Sequence, residues 1–382
     1  MAKVLNNEEI KSVLDMPACI DALYAGFKAY YRGDAARRPR IDLFAPTSRA
    51  DEFACFSSME GIIKNSYYAI RIKPEIISWP EIDGRRRRVT YTDRPGYRGG
   101  LILLFSAENG RLLAIMSDDY IQHMRAGATA ALGAKYLAVS NAETVGILGS
   151  GAMARAFAWG FAAVRRLTGI KAYSPNREHL RSYCREMSEK LAVEVSPMKS
   201  AREAVQGSDI VASCTNSLSP VIEGRWLTPG MYVSNISVRE LDQEALGKIT
   251  LVGYLTFNKN PLNAAGFSDH NFELLNAMAY LTGQPEERRR MAMRRGREIV
   301  MSNARWVPCV DWNTETGLGT NSDREISLLA ELAGSNLPGG LSSSGVQGLQ
   351  CAAVAGRVYE LASSRDVGGS FDSRILLQKS RG

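Results

Sequence analysis

The segment Thr144-Val-Gly-Ile-Leu-Gly-Ser-Gly-Ala-Met-Ala154 constrains this chain more than any other. A short apolar run ends in Gly149-x-Gly151-x-x-Ala154 and passes into Arg155-Ala-Phe-Ala-Trp-Gly-Phe-Ala-Ala-Val-Arg165, which reads as a helix. Strand, glycine turn and helix N-terminus in that order let the backbone approach a pyrophosphate. The free N–H groups and positive dipole end of the helix then face the anion. A small third residue allows the helix to pack closely on the strand. Within a βαβ unit, this turn predicts dinucleotide binding through Gly149, Gly151, Ala152, Met153 and Ala154.

The alternation continues downstream. Gly169 to Tyr173 reads as a strand, Arg177 to Leu191 as a helix, Val193 to Val195 as a short strand and Ser200 to Val205 as a short helix. Asp209 to Cys214 is a buried strand ending in Thr215-Asn216-Ser217, and Gly230 to Ile236 and Ile249 to Tyr254 are further strands. Strands and helices at this spacing predict an α/β fold with a Rossmann-type, doubly wound parallel sheet. The first 125 or so residues differ. A helical start from Asn7 to Gly33 precedes strand-like stretches at Phe53 to Phe56, Tyr67 to Lys73 and Gly100 to Phe105. The turn signals Asp83-Gly84 and Asn109-Gly110 separate them, predicting a mostly antiparallel sheet. Ala126 to Leu137 reads as an Ala-rich helix that Arg125 opens. Ser344 to Ala362 reads as a small-residue helix that packs back on the first domain. The expected division is a Rossmann domain over 126–319 and an α+β domain over 1–125, completed by C-terminal helices in 320–382.

Composition narrows the function. With 382 residues, 45% hydrophobic and 23% charged, the chain reads as two globular domains. No apolar run reaches the roughly 18 residues of a membrane span. The N-terminus lacks an apolar signal core, and six dispersed cysteines without a CxxC pair predict reduced thiols in a cytoplasm. Three histidines leave a His-based metal site without ligands, so no metal is expected. The net charge of +7 comes with two local basic runs, Arg85 to Arg88 and Arg288 to Arg297. Neither is interleaved with aromatics, so they read as solvated faces rather than a nucleic-acid reader.

Cofactor choice is set at the end of the second Rossmann strand, where an acidic residue favours NAD by binding the ribose hydroxyls. Here the chain reads Tyr173-Ser174-Pro175-Asn176-Arg177, with no carboxylate. The guanidinium of Arg177 suits a 2′-phosphate, so Ser174, Asn176 and Arg177 predict NADP(H) over NAD(H). The competing reading makes Ser174-Pro175 a helix cap and Arg177 an exposed helix residue. In the first domain Arg71 and Lys73 alternate along a strand and share a face. With Arg40 and Arg125 they form a cation set suited to orienting a substrate carboxylate.

These residues carry a resemblance. The chain resembles the ornithine cyclodeaminase/μ-crystallin family, which includes alanine dehydrogenases and imine or ketimine reductases. The resemblance runs from about Arg38 to Ala362. It is strongest at Gly110-Arg-Leu-Leu-Ala-Ile-Met116, His123-Met-Arg-Ala-Gly-Ala-Thr-Ala-Ala131, Ala134-Lys-Tyr-Leu137, the glycine turn and Cys214-Thr-Asn-Ser-Leu-Ser-Pro-Val221. It implies a substrate-binding and dimerising N-terminal domain, a homodimer, and an active site between that domain and the Rossmann domain. It carries the family's carboxylate-binding arginine onto Arg125, its active-site lysine onto Lys73 or Arg71, and its early arginine onto Arg40. Thr215, Asn216, Ser217 and Asn235 would face the nicotinamide side. One departure stands out. Cyclodeaminases carry a Gly-x-Asp-x-Pro-Gly-Lys-type segment before a Glu-Leu pair. This chain reads Val233-Ser-Asn-Ile-Ser-Val-Arg-Glu240-Leu241, shorter and without that Asp. The expected function is therefore an NAD(P)H-dependent oxidoreductase at the C–N bond of a small α-amino or α-imino acid, with Lys73 or Arg71 polarising the reacting group. The alternatives are a cyclodeaminase-type lyase with internally recycled NAD and a non-catalytic NADPH-dependent binding protein. Asp269-His270 offers an acid/base pair, or else caps a helix beginning at Asn271.

Overall fold

The computed structural model describes residues 1–38, 40–82, 85–255, 277–281, 286, 304–317, 324–329 and 346–378. Its first sheet is built from β1 (Ala2–Leu5), β2 (Ala35–Arg37), β3 (Arg40–Pro46), β4 (Phe53–Ile63) and β5 (Tyr67–Ser78). The short hairpin β6 (Glu81–Ile82) and β7 (Arg85–Arg86) is followed by β8 (Val89–Tyr91), β9 (Leu101–Ser106) and β10 (Leu112–Ser117). The β3-β4-β5-β9-β10 meander is antiparallel, as the turn signals predict, and β1 adds to β10 in parallel. Along β5, Ala69, Arg71, Glu75 and Ile77 are buried and alternate with more accessible positions. This period-2 pattern puts Arg71, Lys73 and Glu75 on the inner face.

Four helices cover that face or lead away from it. They are α1 (Asn7–Val13), α2 (Met16–Tyr31), α3 (Asp119–Leu137) and the returning C-terminal helix (Val346–Ser364). The expected single helical start is two helices, because Asp15 caps a new one with Pro17 in its first turn. Helix α3 starts at Asp119, not at Ala126, so Arg125 lies in its second turn.

The parallel sheet comprises β11 (Thr144–Leu148), β12 (Gly169–Tyr173), β13 (Val195–Pro197), β14 (Ile210–Ser213), β15 (Tyr232–Asn235) and β16 (Leu251–Tyr254). Two further strands, Arg305–Pro308 and Ser327–Leu329, complete the order 13-12-11-14-15, then 327–329, 16, and 305–308. Every pairing in it is parallel. The chain leaves β11 towards β12 on one side and β14 on the other, and ligands of open α/β sheets bind at the C-terminal strand ends of such a switch point. The covering helices include α4 (Ala152–Val164), α5 (Arg177–Leu191), α6 (Ala201–Val205) and α7 (Gln243–Lys248). The third strand sits two residues later than expected, and Ser200 caps α6 instead of beginning it.

Two short strands cross the expected boundaries. Residues 277–281 pair with β3 of the first sheet, and residues 327–329 insert between β15 and β16 of the second. The Arg288 to Arg297 run, Asp269-His270, the Asp83-Gly84 turn and Ser344-Gly345 lie outside the described residues.

Backbone-to-backbone packing joins the units. A Cβ on Gly127 of α3 would enter the carbonyl of Ala156 in α4, and one on Gly160 would lie 2.5 Å from the carbonyl of Gly127. The returning C-terminal helix, here α8, presses Gly348 onto the backbone of Glu60, while a Cβ on Gly61 would lie 2.5 Å from that helix's backbone. Small residues in α3 and α8 are there to let main chains touch.

Candidate active site

The glycine turn has the geometry its sequence predicts. Gly149 adopts φ +121, a backbone conformation open to glycine, and a Cβ there would meet the Cys214 carbonyl at 2.6 Å. A Cβ on Gly151, the N-cap of α4, would meet open space, and no side chain caps the helix. Gly151 and Ala152 are exposed, Met153 is half-buried and Ala154 is buried against the sheet. Free N–H groups thus face an open cradle at the switch point, which fits a pyrophosphate. Arg155 braces the turn from below: its Nη1 donates to the Ser150 carbonyl at 2.6 Å and its other nitrogens clamp Glu186. Sequence reading passed over that role, because the partner Glu186 is on another helix.

At the end of β12, Ser174 is buried, while Asn176 caps α5 by accepting from the His179 N–H. The cap is thus Asn176 rather than Ser174-Pro175. Arg177 is exposed; it lies over the Tyr173 ring and donates to the carbonyls of Met198 and Lys199, both at 2.8 Å. No carboxylate stands at Tyr173 to Arg177.

On the opposite wall, Glu240 organises the loops after β14 and β15. Fully buried, it accepts from the Thr215 N–H and hydroxyl with one oxygen and from the Ile236 and Ser237 N–H groups with the other. Burial pushes its carboxyl above the usual range, against the pull of the Thr215 hydrogen bonds. Ser217 receives the Thr215 hydroxyl as an acceptor for its N–H, and Asn216 is exposed at the tip. Asn235 is fully buried, and neither atom of its amide has a hydrogen-bond partner among the described residues. Such a group is costly unless something completes it. A backbone bridge from Arg87 to Ser217 ties the hairpin segment of the first domain to this loop.

The inner face of the first sheet carries the cations. Arg71, almost wholly buried, forms a two-pronged pair with Asp118, Nε to Oδ1 and Nη2 to Oδ2, both 2.6 Å. Two strand registers away, Lys73 meets Glu75 at 2.8 Å, and Arg88 reaches the other oxygen of that carboxylate at 3.2 Å. Burial pushes the Lys73 ammonium down. Burial also works against ionised Glu75, but Lys73 and Arg88 outweigh it and hold that carboxyl at about 2. Arg40 binds Asp42 at 2.7 Å and Ser57, which is opposite Lys73 in the β4–β5 register.

Arg125 is held differently. Its Nη1 donates to the Gln350 side-chain oxygen and its Nη2 to that of Gln122, each at 2.5 Å, and its Nε has no partner. Among the described residues it makes no ion pair, although it is 7% exposed. Burial, then the neighbouring Arg71, lower it to about 10, so it remains protonated at neutral pH. His123, two residues earlier, is pushed below its ordinary value by burial despite Asp119 at 4.0 Å.

Helix geometry connects the two halves. Gly127, just past Arg125, touches Ala156, one turn into α4 from the glycine turn. At about 1.5 Å rise per residue, Arg125 and the start of α4 lie on the order of 10 Å apart. The carboxylate partners Asp118 and Glu75, the clamp Glu240 and the tether Gln350 were missed from sequence. Only the Glu240-Leu241 pair had drawn notice.

Fold and site define a two-domain α/β protein with a dinucleotide-type turn beside a buried cation cluster. Residues 96–260 match the family model described as Ornithine cyclodeaminase/mu-crystallin family, the family that the chain's motifs resemble. A relative is the Delta(1)-pyrroline-2-carboxylate reductase of Bacillus cereus, 30% identical over 158 residues, which are 40% of this chain and 48% of that protein. The chain thus spans about half the length of the curated relatives first matched. Among solved structures, the Thermococcus litoralis Delta(1)-pyrroline-2-carboxylate reductase in complex with NADH and L-proline superposes with a TM-score of 0.67 at 22% identity, covering 97% of this chain and 100% of that one. An archaeal alanine dehydrogenase dimer with bound NAD gives 0.68 at 22%, covering 97% and 99%. These likenesses establish the Rossmann-plus-N-terminal-domain fold.

Proposed function

We propose that the chain is an NAD(P)H-dependent oxidoreductase acting at the C–N bond of a small α-amino or α-imino acid. The observation that carries this reading is Arg125: a buried, protonated guanidinium with only neutral partners, placed near the N-terminus of α4. An anion must complete such a site, and a carboxylate fits its fork. The relatives named above act on or bind substrates and products of this kind by their printed descriptions.

The residues of the turn, Gly149, Gly151, Ala152, Met153 and Ala154, would hold the dinucleotide, with Thr215, Asn216, Ser217 and Asn235 lining the nicotinamide side. NADP(H) is favoured over NAD(H), because β12 ends without a carboxylate and with Arg177 beside it. When bound, the nicotinamide supplies or receives the hydride. The chain's own residues bind and orient: Arg125 fixes the carboxylate, and Lys73, presented by Glu75, polarises the nitrogen-bearing carbon. Arg71 and Arg40, each paired with an aspartate, line the site rather than grip substrate themselves. The segment between Val233 and Glu240 offers no aspartate for a second amine, which disfavours cyclisation.

A homodimer is part of the proposal. Leu43 and Phe56, opposite each other on β3 and β4, are 53% and 52% exposed, and Ile62 shares their outward side of β4. Cytoplasmic residence accords with the free cysteines, five of the six being buried.

The decisive experiment offers NADPH or NADH with cyclic imines and with α-keto acids plus ammonia, and in parallel ornithine with NAD. Steady cofactor consumption is expected; proline formation from ornithine without net cofactor change would sink the proposal. Arg125→Ala is expected to abolish turnover while leaving cofactor affinity within about twofold.

A further inference from the structure

The two most deeply buried arginines of the site are held by opposite devices. Asp118 neutralises Arg71 completely. Arg125 is held as firmly, but by side-chain amides. Gln350, from α8, accepts from Arg125 Nη1 and donates through Nε2 to the Thr129 hydroxyl at 2.8 Å. That hydroxyl in turn donates to the Arg125 carbonyl at 2.8 Å. The ring closes on itself: head group, helix backbone and α8 are locked together without any negative charge. Gln350 is 1% exposed and Thr129 is fully buried, so water does not compete.

We propose that Gln350 is a positioning residue, whose neutral amide aims Arg125 while leaving its charge to the substrate carboxylate. A carboxylate at this position would serve as an anchor equally well, as Asp118 does for Arg71, but would satisfy the guanidinium internally. Gln350 and Gln122 take two of the guanidinium's five N–H groups, and the buried Nε is among the donors without a partner. The inference rests on the reading that Arg125 binds the carboxylate, and its test separates the two.

Gln350→Glu is nearly isosteric and supplies the missing charge. The probe is pyrrole-2-carboxylate, titrated calorimetrically into the full chain saturated with NADPH, alongside thermal unfolding and NADPH titration. The expected result is probe affinity down at least tenfold and substrate KM up in proportion, with NADPH affinity unchanged and the unfolding midpoint retained or raised. A merely structural glutamine would lose stability and affinity together. Full probe affinity in Gln350→Glu, with loss in Arg125→Ala, overturns the role of Gln350. Unchanged affinity in Arg125→Ala, or no binding by the intact protein, overturns the carboxylate reading instead. If Gln350→Glu does not fold, Gln350→Met decides: a several-fold loss of probe affinity supports the proposal, and an unchanged value refutes it.

Discussion

At the scale of single residues, the site's cations were readable and their partners were not. Alternation along a strand puts Arg71 and Lys73 on one face from sequence alone. That Asp118 would take Arg71, 47 positions away, depends on which strands become neighbours. The same holds for Glu240, whose acceptors gather N–H groups from two separate loops. Glu240→Gln swaps an accepting oxygen for a donating NH2 against two of those N–H groups. It is expected to destabilise the fold by about 2 kcal/mol and weaken dinucleotide binding, read by denaturant unfolding and NADPH titration. Arg177→Ala tests cofactor choice: NADPH affinity should fall roughly tenfold, with NADH affinity unmoved. Equal loss for both would assign Arg177 to bracing the loop at Met198 and Lys199.

Elements were legible where local chemistry decides them. The βα alternation from Thr144 to Val205 could be read because β11 is a short apolar run and the helices open on the glycine turn, Asn176 and Ser200. Errors arose where tertiary contacts set the limits. Helix α3 begins about two turns early because Asp118 turns its side chain to Arg71 while its backbone opens the helix. Strand β1 has only four residues and is stabilised by pairing with β10, a partner more than a hundred positions away. In α8 the glycine at 348 looks like a weak helix former, yet a Cβ there would occupy the space of Glu60's backbone. Gly348→Ala is accordingly expected to cost about 3 kcal/mol or to shift the whole helix, lowering the unfolding midpoint and displacing Gln350. Ala355→Gly, in the same helix, should cost about 2 kcal/mol, roughly half from helix propensity and half from the lost buried methyl.

For the whole molecule, the outward pair Leu43 and Phe56 and the buried carboxylate Glu75 make separate predictions. Phe56→Glu should convert a dimer to a monomer in light scattering; a monomeric parent protein would end the dimer proposal. Glu75 titrates near 2 in the folded state against 4.5 for a free glutamate. Its ionised form therefore stabilises the fold above about pH 4.5, and that support is lost as pH falls from there towards 2. The contribution is at most roughly 3 kcal/mol, and Lys73, itself disfavoured by burial, returns part of it. Glu75→Gln should flatten the stability curve across that acid window, as measured by urea unfolding.

The hydrogen bond between Arg125 and Gln350 spans 225 positions of chain. During synthesis, the sheet, the glycine turn and Arg125 all leave the ribosome before α8 exists. The turn can form its cradle at that stage, whereas Arg125 has Gln122 of its own helix to hold it but lacks its second tether until the helix bearing Gln350 docks on β4. Nascent chains halted before residue 346 should therefore retain dinucleotide and lack carboxylate recognition. Carboxylate recognition of the proposed kind would then appear only after the cofactor cradle, and its onset would report that α8 has found its seat.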